Sequence, residues 1–100
     1  MALFPCSNYS GLKSNSDWST AVSNAKNYII AVATYTTYNV PIFVPKALLT
    51  STKQYFFGGG YSNASFCIMY QLYASTSTAA GSLLFVNGVQ QTASFTYYYD

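Results

Sequence analysis

The sequence predicts an all-β fold, an antiparallel β-sandwich of about six to eight short strands with at most one short helical turn near the N-terminus. Three observations carry this. From residue 27 onward nearly every segment is β-branched or aromatic and alternates with period two. The breaks between segments are Gly, Pro and Asn-Gly. Helical spacing occurs in a single stretch only, where Trp18, Ala21, Val22 and Ala25 fall on one face behind Asp17, a natural N-cap.

Residues 1–16 are rich in Ser, Asn and Gly and read as an arm or loop, leaving residues 17–100 as one domain. Asn27 to Thr37 is apolar on both faces, which predicts a central strand. Val40 to Pro45 is extended, but its prolines lack an N–H and place it at a sheet edge. Lys46 to Thr52 reads as a connection with room for one helical turn. Lys53 to Phe57 reads as a short strand closed by Gly58-Gly59-Gly60, three residues free to take positive φ in a reversal or bulge. Ser65 to Ala74 alternates, with Phe66, Ile68, Tyr70 and Leu72 against Cys67, Met69, Gln71 and Tyr73. Ser75 to Gly81 reads as a small-residue loop. Asn87-Gly88 between Leu83–Val86 and Val89–Gln91 is a type I′ hairpin signature. The last strand, Ala93 to Tyr99, sets Phe95, Tyr97 and Tyr99 against Thr96 and Tyr98.

Composition narrows function before any motif does. Charged residues make up 6% of the chain, with no Glu, Arg or His, beside 11 tyrosines. Asp17 and Asp100 are its only acidic side chains. General acid–base catalysis needs a group titrating near neutrality or a pair of carboxylates, so no catalytic residue is expected and the chain reads as a non-enzyme. Cys6 and Cys67 are too few for an all-cysteine zinc site and no His can complete one, so neither metal nor cofactor is expected. The two cysteines permit one bridge; because Cys67 reads as a strand residue, two free thiols are favoured. Four dispersed lysines do not make a nucleic-acid surface. No stretch is long and apolar enough to cross a bilayer, and no signal peptide is visible at the N-terminus.

Several features have plain structural readings. Gly58–Gly60 lacks the Lys-Ser/Thr and helix start of a phosphate loop and reads as a turn. Trp18 reads as a plug at one end of the sandwich rather than a sugar platform. Asn8-Tyr9-Ser10 and Asn63-Ala64-Ser65 match the glycosylation pattern, which matters only in a eukaryotic secretory setting. The tyrosines are the strongest functional candidates, since alternation sends some of them outward. An exposed Tyr beside Asn and Ser offers a flat apolar face and a hydroxyl, a combination suited to sugar rings or protein partners. Tyr61, Asn63, Tyr73 and Tyr98 are the candidate ligand-binding residues; Val40, Ile42, Val44, Tyr97 and Tyr99 are the candidate subunit contacts.

The order of patches Val22–Ile30, Ile42–Ser51, Tyr55-Phe-Phe-Gly-Gly-Gly-Tyr61, Phe66–Tyr70 and Phe95-Thr-Tyr-Tyr-Tyr99 resembles the small β-rich C-terminal modules of tail-fibre and minor tail proteins from phages and prophages of gut Firmicutes. The likeness runs from about Trp18 to the end; the terminal Asp100 departs from the pattern of tyrosines followed by a basic residue. The resemblance implies a sandwich at a virion tip that adheres to bacterial cell-surface polysaccharide, often as a trimer, with no catalytic residues. A structural virion protein, a capsid decoration or tail-assembly part, is the competing expectation. In either case the location is the virion, and the partners are glycan, virion proteins and further copies of the chain.

Overall fold

The computed structural model describes residues 11–63 and 65–100. Its elements run β1 (Lys13–Asn15), α1 (Trp18–Asn24), β2 (Tyr28–Tyr35), β3 (Tyr38–Pro45), a 3-10 turn (Lys46–Leu48), β4 (Gln54–Asn63), β5 (Phe66–Ala74), β6 (Ala79–Val86), β7 (Val89–Gln91) and β8 (Ser94–Tyr99). Eight strands form two antiparallel four-stranded sheets, ordered β1-β8-β2-β3 and β4-β5-β6-β7. The all-β sandwich is the observed fold.

The core lies between the sheets. The first contributes Ile29, Ala31 and Ala33 from β2, Val40, Ile42 and Val44 from β3, and Tyr97 and Tyr99 from β8; the second contributes Ile68, Tyr70, Leu72 and Leu84. Strand β2 is central, between β8 and β3, and is buried on both sides because Tyr28, Ile30 and Val32 form a second apolar cluster on the outer face with Leu12 and Tyr98. Asp17 caps α1 by accepting from the Thr20 backbone N–H at 3.0 Å. Trp18 closes the end of the sandwich, its ring edge-on to Tyr97 at 5.2 Å and its indole N–H donating to the Ser75 carbonyl at 2.8 Å. That bond ties the helix on the first sheet to a loop of the second.

One polar chain crosses the core. The Tyr70 hydroxyl donates to Ser82 Oγ at 3.4 Å, and Ser82 Oγ lies 3.0 Å from the Tyr97 hydroxyl, joining β5 and β6 to β8. Burial pushes both phenols above their usual range, so they stay neutral hydroxyls at ordinary pH.

Four expectations are corrected. Lys13–Asn15, placed in the arm, is a strand registered against Tyr97–Tyr99. The Asn27–Thr37 run ends at Tyr35, and Thr36-Thr37 turns the chain into β3, with Thr36 at φ 51. The expected loop Ser75–Gly81 gives way to β6 from Ala79. Most consequential, Gly58–Gly60 is no reversal: β4 runs straight through it, pairing Gly58 with Tyr70, Gly59 with Met69 and Gly60 with Ile68. Glycine is required because β3 of the first sheet presses on β4; a Cβ at Gly58 would sit 2.7 Å from Ile42 Cγ1 and 3.0 Å from the Pro41 carbonyl. Gly59 takes φ +128, where a Cβ would lie 2.2 Å from the Ile68 carbonyl. The Asn-Gly hairpin forms as expected, with Asn87 and Gly88 at φ 52 and 82. Asn87 also accepts from the Cys67 N–H and donates to the Ser65 carbonyl, both at 2.8 Å, pinning the start of β5.

Two stability predictions follow from these backbones. Gly60→Ala should be nearly neutral in a urea melt because nothing lies within 4 Å of the new Cβ, whereas Gly58→Ala should cost about 1–3 kcal/mol through overpacking. Thr36→Asn should raise stability by about 0.5–1 kcal/mol in the same assay, since a β-branched residue is strained at positive φ and Asn is not.

Candidate functional site

Because β4 continues through its glycines, alternation puts Tyr55, Phe57, Gly59 and Tyr61 on the outer face of the second sheet. Registered neighbours complete the surface in rows: Tyr55 beside Tyr73, Phe57 beside Gln71 and Leu83, Gly59 beside Met69 and Phe85, and Tyr61 beside Cys67. Tyr55, Phe57, Tyr61 and Met69 are all exposed, Tyr61 at 73% and Phe57 at 61%. None of these rows contains a charged side chain. The nearest is Lys53 at the margin, its ammonium 5.7 Å from the Tyr73 ring centre. The face is aromatic, uncharged and uncovered by the described residues.

Tyr55 stacks on Tyr73 across the strands at 4.3 Å and 10°, and Phe57 lies parallel to Tyr55 within 13° at 6.1 Å. Tyr73 thus covers one face of the Tyr55 ring. Phe57 differs, because its cross-strand neighbour is the amide of Gln71 rather than a ring. The row thus sets an exposed apolar ring beside a residue that carries a hydrogen-bonding amide.

The candidate residues named from sequence are divided by this geometry. Tyr61 and Tyr73 lie on the aromatic face. Asn63 sits past a register irregularity at the β4–β5 turn, where its side-chain Oδ1 accepts from the Ser65 N–H at 2.7 Å. Tyr98 is on the opposite side of the molecule, half-buried against Tyr28, Ile30 and Val32. The proposed subunit contacts Val40, Ile42, Val44, Tyr97 and Tyr99 are core residues, so their side chains offer no outward surface. The physical reason is simple: an edge strand is exposed along its backbone, while its apolar side chains still turn inward. Sequence reasoning did not name Phe57, Met69, Leu83 or Phe85: ending the strand at Gly58 broke the phase linking Tyr55 and Phe57 to Tyr61, and only the register of β6 on β5 sets Leu83 and Phe85 beside Gln71 and Met69. Cys67 is free and exposed on this face; Cys6 lies outside the described residues, as does the pattern starting at Asn8.

Both carboxylates have structural duties. The Asp17 carboxylate accepts from the Thr20 hydroxyl at 2.6 Å and the Ser19 hydroxyl at 2.8 Å, which holds it below its usual range. Asp100 accepts from the backbone N–H groups of Lys26, Asn27 and Tyr28 and from the Asn27 amide. Desolvation pushes the Asp100 carboxyl up, but these donors together outweigh it and hold it low. Lys46 donates to the Ala25 carbonyl at 2.8 Å beyond the end of α1. Among the described residues no group of three potential metal ligands occurs, and no helix is long and apolar enough to cross a membrane.

No family model, curated protein or solved structure matches the chain.

Asp100 makes stability pH-dependent in a defined direction. Its folded-state pKa is depressed, so its contribution is complete above the unfolded value near ~4 and is lost as pH falls through the folded value. Asp100→Asn should therefore lower the urea midpoint at pH 7, and the gap from wild type should shrink below about pH 4. Asp17 titrates in both proteins and cancels in the comparison.

Proposed function

We propose that this protein is a non-enzymatic adhesion module that binds neutral glycan on the outer face of its second sheet. The observation that carries the reading is the row Phe57-Gln71-Leu83, an exposed ring registered beside an amide-bearing residue in a row without charge. The C–H face of a pyranose packs on an aromatic ring while its hydroxyls take up amide and phenol groups; Gln71 in the same row and Tyr55, Tyr73 and Tyr61 on the same face carry such groups. An uncharged face favours neutral sugars over uronic or phosphorylated polymers, whose anionic groups call for Arg or Lys. The engagement of both carboxylates in backbone bonds supports a role in binding rather than catalysis.

Joined to the likeness of the segment order to phage tail modules, the reading becomes a receptor-binding tip of a phage tail adhering to bacterial cell-surface polysaccharide. The competing role, a structural virion part whose face is covered by sister subunits or other virion proteins, draws on a specific feature: Phe57 and Met69 expose more apolar surface than hydroxyl recognition requires.

Titration with neutral oligosaccharides and with bacterial cell-wall polysaccharide separates the two. Phe57→Ala should weaken glycan binding by about tenfold or more, roughly the 1.4 kcal/mol of one lost stacking contact. Tyr98→Ala, on the far side of the sandwich, should leave the affinity of the folded protein unchanged. Absence of binding to any neutral glycan or cell wall, with co-sedimentation on virions instead, would transfer the assignment to the structural role.

A further inference from the structure

The four sheet edges are defended unequally. Strands β1 and β7 are blunted by their length of 3 residues each. Strand β3 carries Pro41 and Pro45, which cannot donate to an added strand. Strand β4 has 10 residues, Gln54–Asn63, without a proline or a charge among them. It pairs only with β5, so the hydrogen-bonding groups on its other side face outward along the strand. Long, uncharged, proline-free edges are what monomeric sandwiches avoid, because such an edge templates another strand.

We propose that two copies of this chain pair through β4, antiparallel about a two-fold axis, joining their second sheets into one continuous sheet. The occupant is argued from β4 itself. Its backbone is self-complementary in the antiparallel sense, and the absence of charge lets identical strands meet without like-charge repulsion. Beyond the contact of Gly58 with β3, Gly60 leaves the strand bare, since a Cβ there would meet nothing within 4 Å. A two-fold axis normal to the sheet sets odd residues opposite odd residues. Tyr55, Phe57 and Tyr61 on the edge strand then meet outer-face residues of the partner, and the two aromatic faces merge into one. Pairing uses the β4 edge of both copies, and the remaining edges are the blunted ones, so assembly closes at two.

The arrangement corrects where the subunit contact was expected. It lies on the edge strand of the second sheet rather than on β3 and β8, and it runs through backbone rather than buried side chains. It does not rest on the glycan reading, since Phe57 and Gln71 keep their outward position in the paired sheet.

Analytical ultracentrifugation of the full chain across micromolar concentrations tests it. The expected mass is twice the 11.0 kDa of one chain. Gly60→Lys places an inward-pointing charge on the edge where a Cβ meets no neighbour; it should keep the circular dichroism spectrum and weaken the dimer by about tenfold or more. Gly60→Ala and Leu83→Lys, the latter on the middle of the outer face, should stay dimeric. Hydrogen exchange of β4 amides in the unaltered protein should slow as concentration rises. A single-chain mass throughout, a three-chain mass, or a dimer that survives Gly60→Lys and is lost in Leu83→Lys would each overturn the proposal.

Discussion

The second sheet depends on one close approach, the passage of β4 beneath Pro41 and Ile42 of β3 with no side chain at residue 58. Were any Cβ present there, it would stand 2.7 Å from Ile42 Cγ1, and the two sheets could not close at this corner without shifting one of them. Glycine permits the contact, and the contact holds β4 in the sheet through a stretch that has little strand propensity of its own. Strand continuity then fixes the phase of everything on its outer side. Tyr55, Phe57 and Tyr61 share a face only because no residue is gained or lost between them. The aromatic surface and the long bare edge have the same cause.

Scarcity of charge shapes the rest. With little charge to stabilise its ends, the protein uses both carboxylates and one lysine structurally: Asp17 caps the helix, Asp100 gathers three successive backbone N–H groups, and Lys46 answers the Ala25 carbonyl. Inside, hydroxyls take the place of ion pairs. The Tyr70–Ser82–Tyr97 chain links the sheets without desolvating a charge, and among the described residues no buried side-chain polar atom lacks a partner.

Much of this fold was legible in the residues. Apolar side chains on both faces of Tyr28–Val32 marked a central strand, the prolines of β3 marked an edge, Asp17 marked a cap, and Asn87-Gly88 marked a hairpin. Alternation also assigned Phe95, Tyr97 and Tyr99 to one face and Tyr98 to the other. What sequence could not reveal was decided by tertiary contact. Three glycines look alike in a turn and beneath a packed strand, and only Ile42 and Pro41 distinguish the two. Lys13-Ser14-Asn15 has no strand propensity and becomes a strand through its register with β8. The candidate site was half legible for the same reason: Tyr61 and Tyr73 were found as isolated exposed tyrosines, while the continuity of β4 joins Tyr61 to Tyr55 and Phe57 and the register of β5 on β6 sets Met69 beside Phe85.

The continuity of β4 through Gly58–Gly60 is the claim on which the face and the edge both stand, and proton NMR reads it directly. Cross-strand nuclear Overhauser contacts should join Gly58 to Tyr70, Gly59 to Met69 and Gly60 to Ile68, the registered pairs of an unbroken antiparallel ladder. Strong sequential amide–amide contacts across residues 58–60, with no cross-strand contacts to residues 68–70, would instead describe a turn and contradict the account.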